Sequence, residues 1–347
     1  MLSRRTVIGS IGALAAAGSI SSAPGVLHAR TTRRPPRLRP GDVVGLVEPA
    51  GFSDGPAQVE AVKATIAYMG LVPRVGRHVA TRHGYLAGTD RQRASDLNEM
   101  FADDEVRAIF TIRGGWGSAR LLPLVNWNTI RARPKLLIGS SDITALHLAI
   151  AAHAGFPTVH APNAASSWQD ISWRSFQGLA FHGQTLTLAS SMVPDPDPLT
   201  SQRWPASTIR PGRARGRLLG GNLSVLAALV GTPWLPRFDG AILFLEDIGE
   251  AEYRIDRMMS QLAQAGILRR VKGVVFGQCT RCTSNIPGYI GFTVPQLLQD
   301  YLLPLNVPAF YGANVGHVAN QLSLPVGARV EIDAGLGTIR LLEPIVA

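Results

Sequence analysis

Apolar and polar positions in the first half of the chain fall into two alternating rhythms. VVGLVEPAG (residues 43–51) is an apolar run closed by glycine, the pattern of a buried strand, and PAQVEAVKATIAYMG (56–70) follows with apolar residues every three or four positions. LVPRVG (71–76) predicts a second strand, and TDRQRASDLNEMFADD (89–104) an amphipathic helix capped by Thr89 or Asp90. VRAIFTIRGG (106–115), KLLIGS (135–140) and PTVHAP (157–162) predict further strands, with ITALHLAIAAHAG (143–155) a helix before the last. This alternation predicts an α/β layer whose sheet is parallel and covered by helices on both faces.

The rhythm breaks between about residues 163 and 214, where Pro, Ser and Trp accumulate, so residues 166–214 are expected to form a connector between an N-terminal α/β domain (40–165) and a C-terminal one (215–347). The second half carries GRLLGGNLSVLAALVGTP, GAILFLEDIGEAEYRIDRMMSQLAQAG, VKGVVFGQC and the helix PQLLQDYLL, then short β segments around ARVEID and TIRLLEP. It predicts a smaller mixed α/β domain ending in β structure.

The first residues belong to a different kind of segment. MLSRRTVIGSIGALAAAGSISSAPGVLHA (1–29) has the arginine pair Arg4-Arg5, a small-residue apolar stretch and a cleavage-like Leu27-His28-Ala29, which predicts a twin-arginine export signal and a periplasmic protein. The stretch is broken by Pro24 and rich in Gly, Ala and Ser, so no membrane span is expected after processing. Removing it takes away two arginines and no acid, which lowers the formal net charge from +10 to +8. Five arginines in RTTRRPPRLR (30–39) form a basic arm; the remaining positive charge is scattered, without the clustered basic and aromatic surface that would predict nucleic-acid binding. Envelope polymers and lipid headgroups are the anionic partners this charge and location predict. Cys279 and Cys282 sit at a strand end, where a lone CxxC cannot complete a four-ligand zinc site, so they are expected to be structural and open to bridging in an oxidising compartment.

Candidate chemistry narrows quickly. RGGWGSAR (113–120) lacks the third glycine of the dinucleotide fingerprint and no P-loop lysine is present, so nucleotide binding is not expected; glycines at a strand end also let backbone N–H groups face a ligand, as an oxyanion hole requires. GGNLS (220–224) reads as a tight turn into a helix or as a similar site. The eight histidines are dispersed without a metal-ligand spacing, so no metal and no cofactor is expected. A hydrolase on this chain needs its own nucleophile. Ser141 in IGSSDIT stands where a strand turns into a helix: taken alone it reads first as a helix cap, and second as a serine with a helix N-terminus behind it and the Asp142 N–H beside it. Glu246 and Asp247 end the strand AILFLED, and His317 follows the strand VPAFYGAN, so a carboxylate and an imidazole are also available at strand ends.

RPGDVVGLVEPAG, GYLAGTDRQRASDLNEMF, FTIRGGWGSARLLP, LLIGSSDIT, GRLLGGNLSVLAALVGTP, ILFLEDIGEAEYRIDRMMSQL, GVVFGQCTRC, and VGH with LPVGARVEID together resemble the LD-carboxypeptidase family of serine peptidases, which contains murein tetrapeptide carboxypeptidase and the microcin immunity peptidase. These blocks run from residue 39 to about 343. The resemblance implies an N-terminal domain of flavodoxin-like or glutamine-amidotransferase-like type, Ser141 as nucleophile, Glu246 as triad acid, His317 as base, and the N–H groups of Gly115 and Asp142 as oxyanion donors, with the site at the domain interface. Arg113, Trp116 and Asn222 are the expected substrate-binding residues, murein-derived peptide the expected partner, and a homodimer the expected assembly. The implied reaction is metal-free release of the C-terminal D-Ala from a murein tetrapeptide through an acyl-enzyme. An immunity-type peptidase cleaving a peptide-nucleotide antibiotic and a non-catalytic envelope-binding protein are the alternatives. The sequence departs from the family where Ser140 and Trp116 replace common tyrosines and HAPN (160–163) replaces H-G-P-M.

The export reading makes a direct prediction: replacing Arg4 and Arg5 by lysine is expected to strand the protein in the cytoplasm with its N-terminus unprocessed, as read by fractionation and N-terminal mass. Identical fractionation of wild type and variant, both unprocessed, contradicts it.

Overall fold

The computed structural model describes residues 34–192, 203–284 and 288–347. The expected signal (1–29), the first part of the basic arm and residues 193–202 of the expected connector lie outside the described residues.

The chain builds two sheets. The first half runs β1 (Val43–Val47), α1 (Pro56–Tyr68), β2 (Val72–Val75), α2 (Asp90–Ala102), β3 (Val106–Thr111), α3 (Trp127–Ala132), β4 (Leu136–Gly139), α4 (Thr144–His153) and β5 (Thr158–His160). Thr89 caps α2 through a reciprocal capping box with Gln92, which satisfies two of the free N–H groups of the first turn. The helix then buries Ala94, Leu97, Met100 and Phe101 in the core. Next come α5 (Asp170–Ala180), β6 (Thr187–Ala189), β7 (Ser207–Arg210), β8 (Arg213–Asn222), α6 (Leu223–Ala228), β9 (Ile242–Ile248), α7 (Glu252–Gln264), β10 (Gly273–Thr280), α8 (Val294–Leu302), β11 (Ala309–Tyr311), β12 (Leu324–Val326), β13 (Arg329–Asp333) and β14 (Thr338–Leu341).

The first sheet has the order β12-β5-β4-β3-β1-β2. Its five N-terminal strands are parallel, as the alternation predicts, and β12 returns from late in the chain to pair antiparallel with β5. The second sheet has the order β6-β14-β13-β8-β9-β10-β11-β7, with a parallel centre of β8, β9, β10 and β11 and antiparallel strands on either side. The architecture is the mixed α/β fold expected. The segment expected to be a connector is more structured than its composition suggests: it holds α5, β6 and β7 and opens β8. The strands β6 and β7 have three and four residues and lie at sheet edges, too short to print an alternating pattern.

The two sheets meet through the end of β8. Its last residues pair in register with β9, Asn222 opposite Glu246, while the Asn222 N–H donates to Thr144 Oγ1 at 2.9 Å at the start of α4. Gly221, at φ +139, lies so close to α4 that a Cβ there would stand 2.3 Å from Thr144 Oγ1. Only glycine tolerates both the backbone angle and the approach. His160 adds a second contact, pairing with Gly139 along β4–β5 while its ring meets Phe244 of β9 edge-on at 5.4 Å between centroids. Gly221→Ala is therefore expected to destabilise the protein by about 3 kcal/mol or more in urea denaturation, from backbone strain and overpacking together. An unchanged unfolding midpoint contradicts this packing.

Candidate active site

Parallel strands end with their carbonyl edges facing one side, and in open α/β sheets that edge is where ligands bind. Ser141 follows β4, Glu246 lies near the end of β9, and His317 lies in the turn after β11. All three come from the carboxyl ends of parallel strands.

Ser141 opens a short 3-10 turn (Ser141–Ile143) with φ at +63°, a left-handed angle rare for a residue with a side chain. Backbone strain of this kind costs on the order of 1–3 kcal/mol and persists where the surroundings enforce it. Here they do. Asn163 Oδ1 accepts from the Ser140 N–H at 3.2 Å and from Thr111 Oγ1 at 2.7 Å, which pins the residue before the turn. On the other side Asp142 is buried, its Oδ2 accepting the Ser118 N–H at 2.7 Å and its carbonyl accepting Ser118 Oγ at 2.5 Å. Burial pushes the Asp142 carboxyl up, against the opposing hydrogen bonds from Ser118. Asn163 is the final residue of HAPN, so that departure from the family pattern places a polar side chain against the turn.

The glycine-rich loop after β3 leans on this turn. A Cβ at Gly114 would stand 2.9 Å from Ser141 Cβ, so only a glycine there lets the loop come this close. Gly115 follows at φ +107, and among the described residues its N–H pairs with no backbone carbonyl. Gly51 N–H donates to the Gly114 carbonyl at 2.9 Å and ties the loop after β1 to the same place. Arg113 and Trp116 flank the loop on its exposed side. Arg113 pairs with Asp54 at 3.0 Å, an exposed ion pair of small energetic value, and Trp116 is 43% exposed.

Glu246 is completely buried and receives His317 Nδ1 on Oε2 at 2.8 Å. Burial disfavours the charged forms of both groups, yet each overrules it for the other. The His317 charge and hydrogen bond hold Glu246 below the usual carboxylate range, and Glu246 holds His317 above the usual histidine range. The turn that carries His317 is built for this approach: at Gly316, with φ +119, a Cβ would stand 2.9 Å from Glu246 Oε2. Thr280 Oγ1, at the end of β10, donates to the His317 carbonyl at 3.0 Å and fixes the turn from behind.

The adjacent carboxylate behaves differently. Asp247 points to the other face of β9, as alternation along a strand requires, and accepts from Asn222 Nδ2 at 3.0 Å, the Ser224 N–H at 2.9 Å and Ser224 Oγ at 2.8 Å. Burial, with Glu246 as neighbour, pushes it up to about 6. Asn222 has its amide on Asp247 and its side-chain oxygen on the Val225 N–H at 3.1 Å, capping α6, and it is buried. GGNLS forms a tight turn into α6, and Asn222, one of the expected substrate-binding residues, is buried there. Cys279 and Cys282 form a disulfide at the end of β10 on either side of Thr280 and Arg281. Among the described residues no cluster of His, Cys, Asp and Glu is arranged to hold a metal ion, and no helix is long and apolar enough to cross a membrane.

Comparison with known proteins identifies the family. Residues 44–161 match the profile described as the LD-carboxypeptidase N-terminal domain, and residues 215–332 match the LD-carboxypeptidase C-terminal domain. The murein tetrapeptide carboxypeptidase of Pseudomonas aeruginosa is 32% identical over 276 residues, covering 78% of this chain and 86% of the relative. The microcin C7 self-immunity protein MccF of Escherichia coli is 27% identical over 336 residues, covering 88% and 94%. Among solved structures, the muramoyltetrapeptide carboxypeptidase from Oxalobacter formigenes superposes with a TM-score of 0.74 at 26% identity, covering 86% of this chain and 97% of that one. By sequence and by fold, the chain belongs to the LD-carboxypeptidase family of serine carboxypeptidases.

Proposed function

We propose that Ser141, His317 and Glu246 form a catalytic triad that hydrolyses the L,D peptide bond releasing the C-terminal D-Ala of a murein tetrapeptide. The observation that carries this reading is the 2.8 Å bond from His317 Nδ1 to the buried Glu246, because it leaves Nε2 as the free face of an imidazole held in one orientation. His317 takes the Ser141 proton as Oγ attacks the carbonyl carbon, and Glu246 stabilises the imidazolium. The Gly115 and Asp142 N–H groups receive the negative charge that develops on the carbonyl oxygen. Collapse of the tetrahedral intermediate breaks the C–N bond, with the proton passing from His317 to the departing amine; water then repeats the sequence on the acyl-enzyme. Arg113 and Trp116, on the exposed rim of the loop, are proposed to meet the peptide. The arginine pair at positions 4 and 5 supports action outside the cytoplasm, where murein is the available polymer.

The nucleophile is tested by turnover of the tetrapeptide, with products weighed. Ser141→Ala is expected to lower kcat by roughly four to six orders of magnitude in a folded protein, while Ser140→Ala keeps substantial activity. Near wild-type kcat in folded Ser141→Ala contradicts the assignment. Cleavage of a peptide-nucleotide conjugate with the tetrapeptide left intact favours the immunity-type reading instead.

The base is tested by pH. A base must be neutral to act, and Glu246 raises His317, so kcat/KM is expected to fall on the acid side through a pKa above the usual histidine value. In Glu246→Gln the attraction that raises His317 is gone: the acid limb moves to lower pH and kcat drops by about four orders of magnitude, whereas Asp247→Asn changes it far less. An acid limb that stays in place in Glu246→Gln, or the reverse order of the two losses, rejects the assignment.

A further inference from the structure

Arg93 lies in α2 with its side chain completely buried. A guanidinium out of water needs acceptors for its N–H groups, and here Nη1 and Nη2 find them while Nε, among the described residues, has none. Among the described residues its one carboxylate partner is Asp90, which it shares with Arg120. Its other hydrogen bonds go to backbone carbonyls on two separate loops: Pro49, in the loop after β1, and Gly117, in the loop after β3 at 2.9 Å. These are the two loops joined by the Gly51–Gly114 bond, and the second is the one that rests on Ser141 and carries Gly115.

The residue beyond Gly117 is held from the opposite side. Ser118 donates its N–H and its hydroxyl to Asp142, the residue after Ser141. The loop is thus gripped between a buried cation at Gly117 and a buried carboxylate at Ser118, and the carboxylate is bonded into the turn that holds Ser141. The charges of Arg93 and Asp142 also favour each other's ionised forms across this grip, against the burial that opposes both.

We infer that Arg93 is a positioning residue that fixes the Gly115 N–H relative to Ser141 Oγ by clamping the Pro49 and Gly117 carbonyls, and so sets the strength of oxyanion stabilisation without touching substrate. The inference rests on the oxyanion role of Gly115 proposed above. A clamp of this kind acts on the tetrahedral state, where charge sits on the oxygen, and leaves ground-state peptide affinity alone.

The test compares Arg93→Met and Arg93→Lys with the parent protein. Lysine keeps the charge and the aliphatic stem but lacks the planar fork whose Nη1 meets both carbonyls while Nη2 meets Asp90. Arg93→Met is expected to lower kcat for the tetrapeptide by about 100-fold with KM little changed, and to weaken binding of a peptide boronic acid, whose tetrahedral adduct on Ser141 mimics the intermediate, by a similar factor. Affinity for the tetrapeptide, measured in a Ser141→Ala background, stays as in the parent. Arg93→Lys shows the same selective pattern at smaller size and serves as the readout if the methionine variant does not fold. Guanidinium ion added to Arg93→Ala is expected to restore part of kcat. Unchanged kcat in folded variants overturns the inference, and so does a loss shared equally by peptide and boronate affinity, which is the signature of general loosening. Failure of the underlying reading looks different: Ser141→Ala then keeps its turnover whatever Arg93 does.

Discussion

The site depends on one hydrogen bond between the two sheets, from the Asn222 N–H to Thr144 Oγ1. Thr144 begins the helix that the Ser141 turn feeds, and Asn222 stands opposite Glu246 in the β8–β9 ladder. This bond therefore connects the turn carrying the hydroxyl to the strand carrying the carboxylate through only a few residues of regular backbone. Gly221 brings the two backbones close enough for the bond to form, and the buried contact of His160 with Phe244 holds the same approach from the next strand. If Ser141 and His317 act together as proposed, side chains from separate sheets need such a tie, because an error of about 1 Å in their relation costs on the order of 100-fold in rate.

Electrostatics and strain then divide the work. A fully buried Glu246 is tolerated because His317 faces it, and the pairing that makes it tolerable also orients the imidazole. Asp247, one residue on, is satisfied by Asn222 and Ser224 and supports the β8 turn. Two neighbouring carboxylates thus serve two purposes because a strand sends them to opposite faces. The left-handed Ser141 is held by Asn163 before it and by the Asp142–Ser118 bonds after it, so its strain is sustained by buried polar contacts on both sides.

The parts of this structure legible in the sequence are those with long, regular signals. Strands β1, β3, β4, β9 and β10 are buried on both faces and read as apolar runs, and α2 shows both its period and its cap. Ser141, Glu246 and His317 stand out as polar residues closing such runs, although the choice of Glu246 over Asp247 rests on the family resemblance; Glu246 is the carboxylate bonded to His317 at 2.8 Å. Three-residue strands such as β12 and β6 carry too little pattern to read, and β12 pairs with a strand more than 160 residues earlier in the chain. Arg93 and Thr144 are illegible for another reason. In a helical period Arg93 reads as one more solvated polar position, and nothing local reveals that its guanidinium is buried against two distant carbonyls.

The central claim is that Ser141, held in a left-handed turn, is the reactive hydroxyl and that His317, paired with Glu246, is its base. A fluorophosphonate reagent, which phosphonylates an activated serine, tests it most directly, with intact mass and peptide mapping as the readout. The account predicts a single adduct on Ser141, formed at a rate that rises with pH through the raised pKa of His317 and falls sharply in His317→Ala. An adduct on Ser140 or another hydroxyl, or labelling of Ser141 at the same rate without His317, contradicts it.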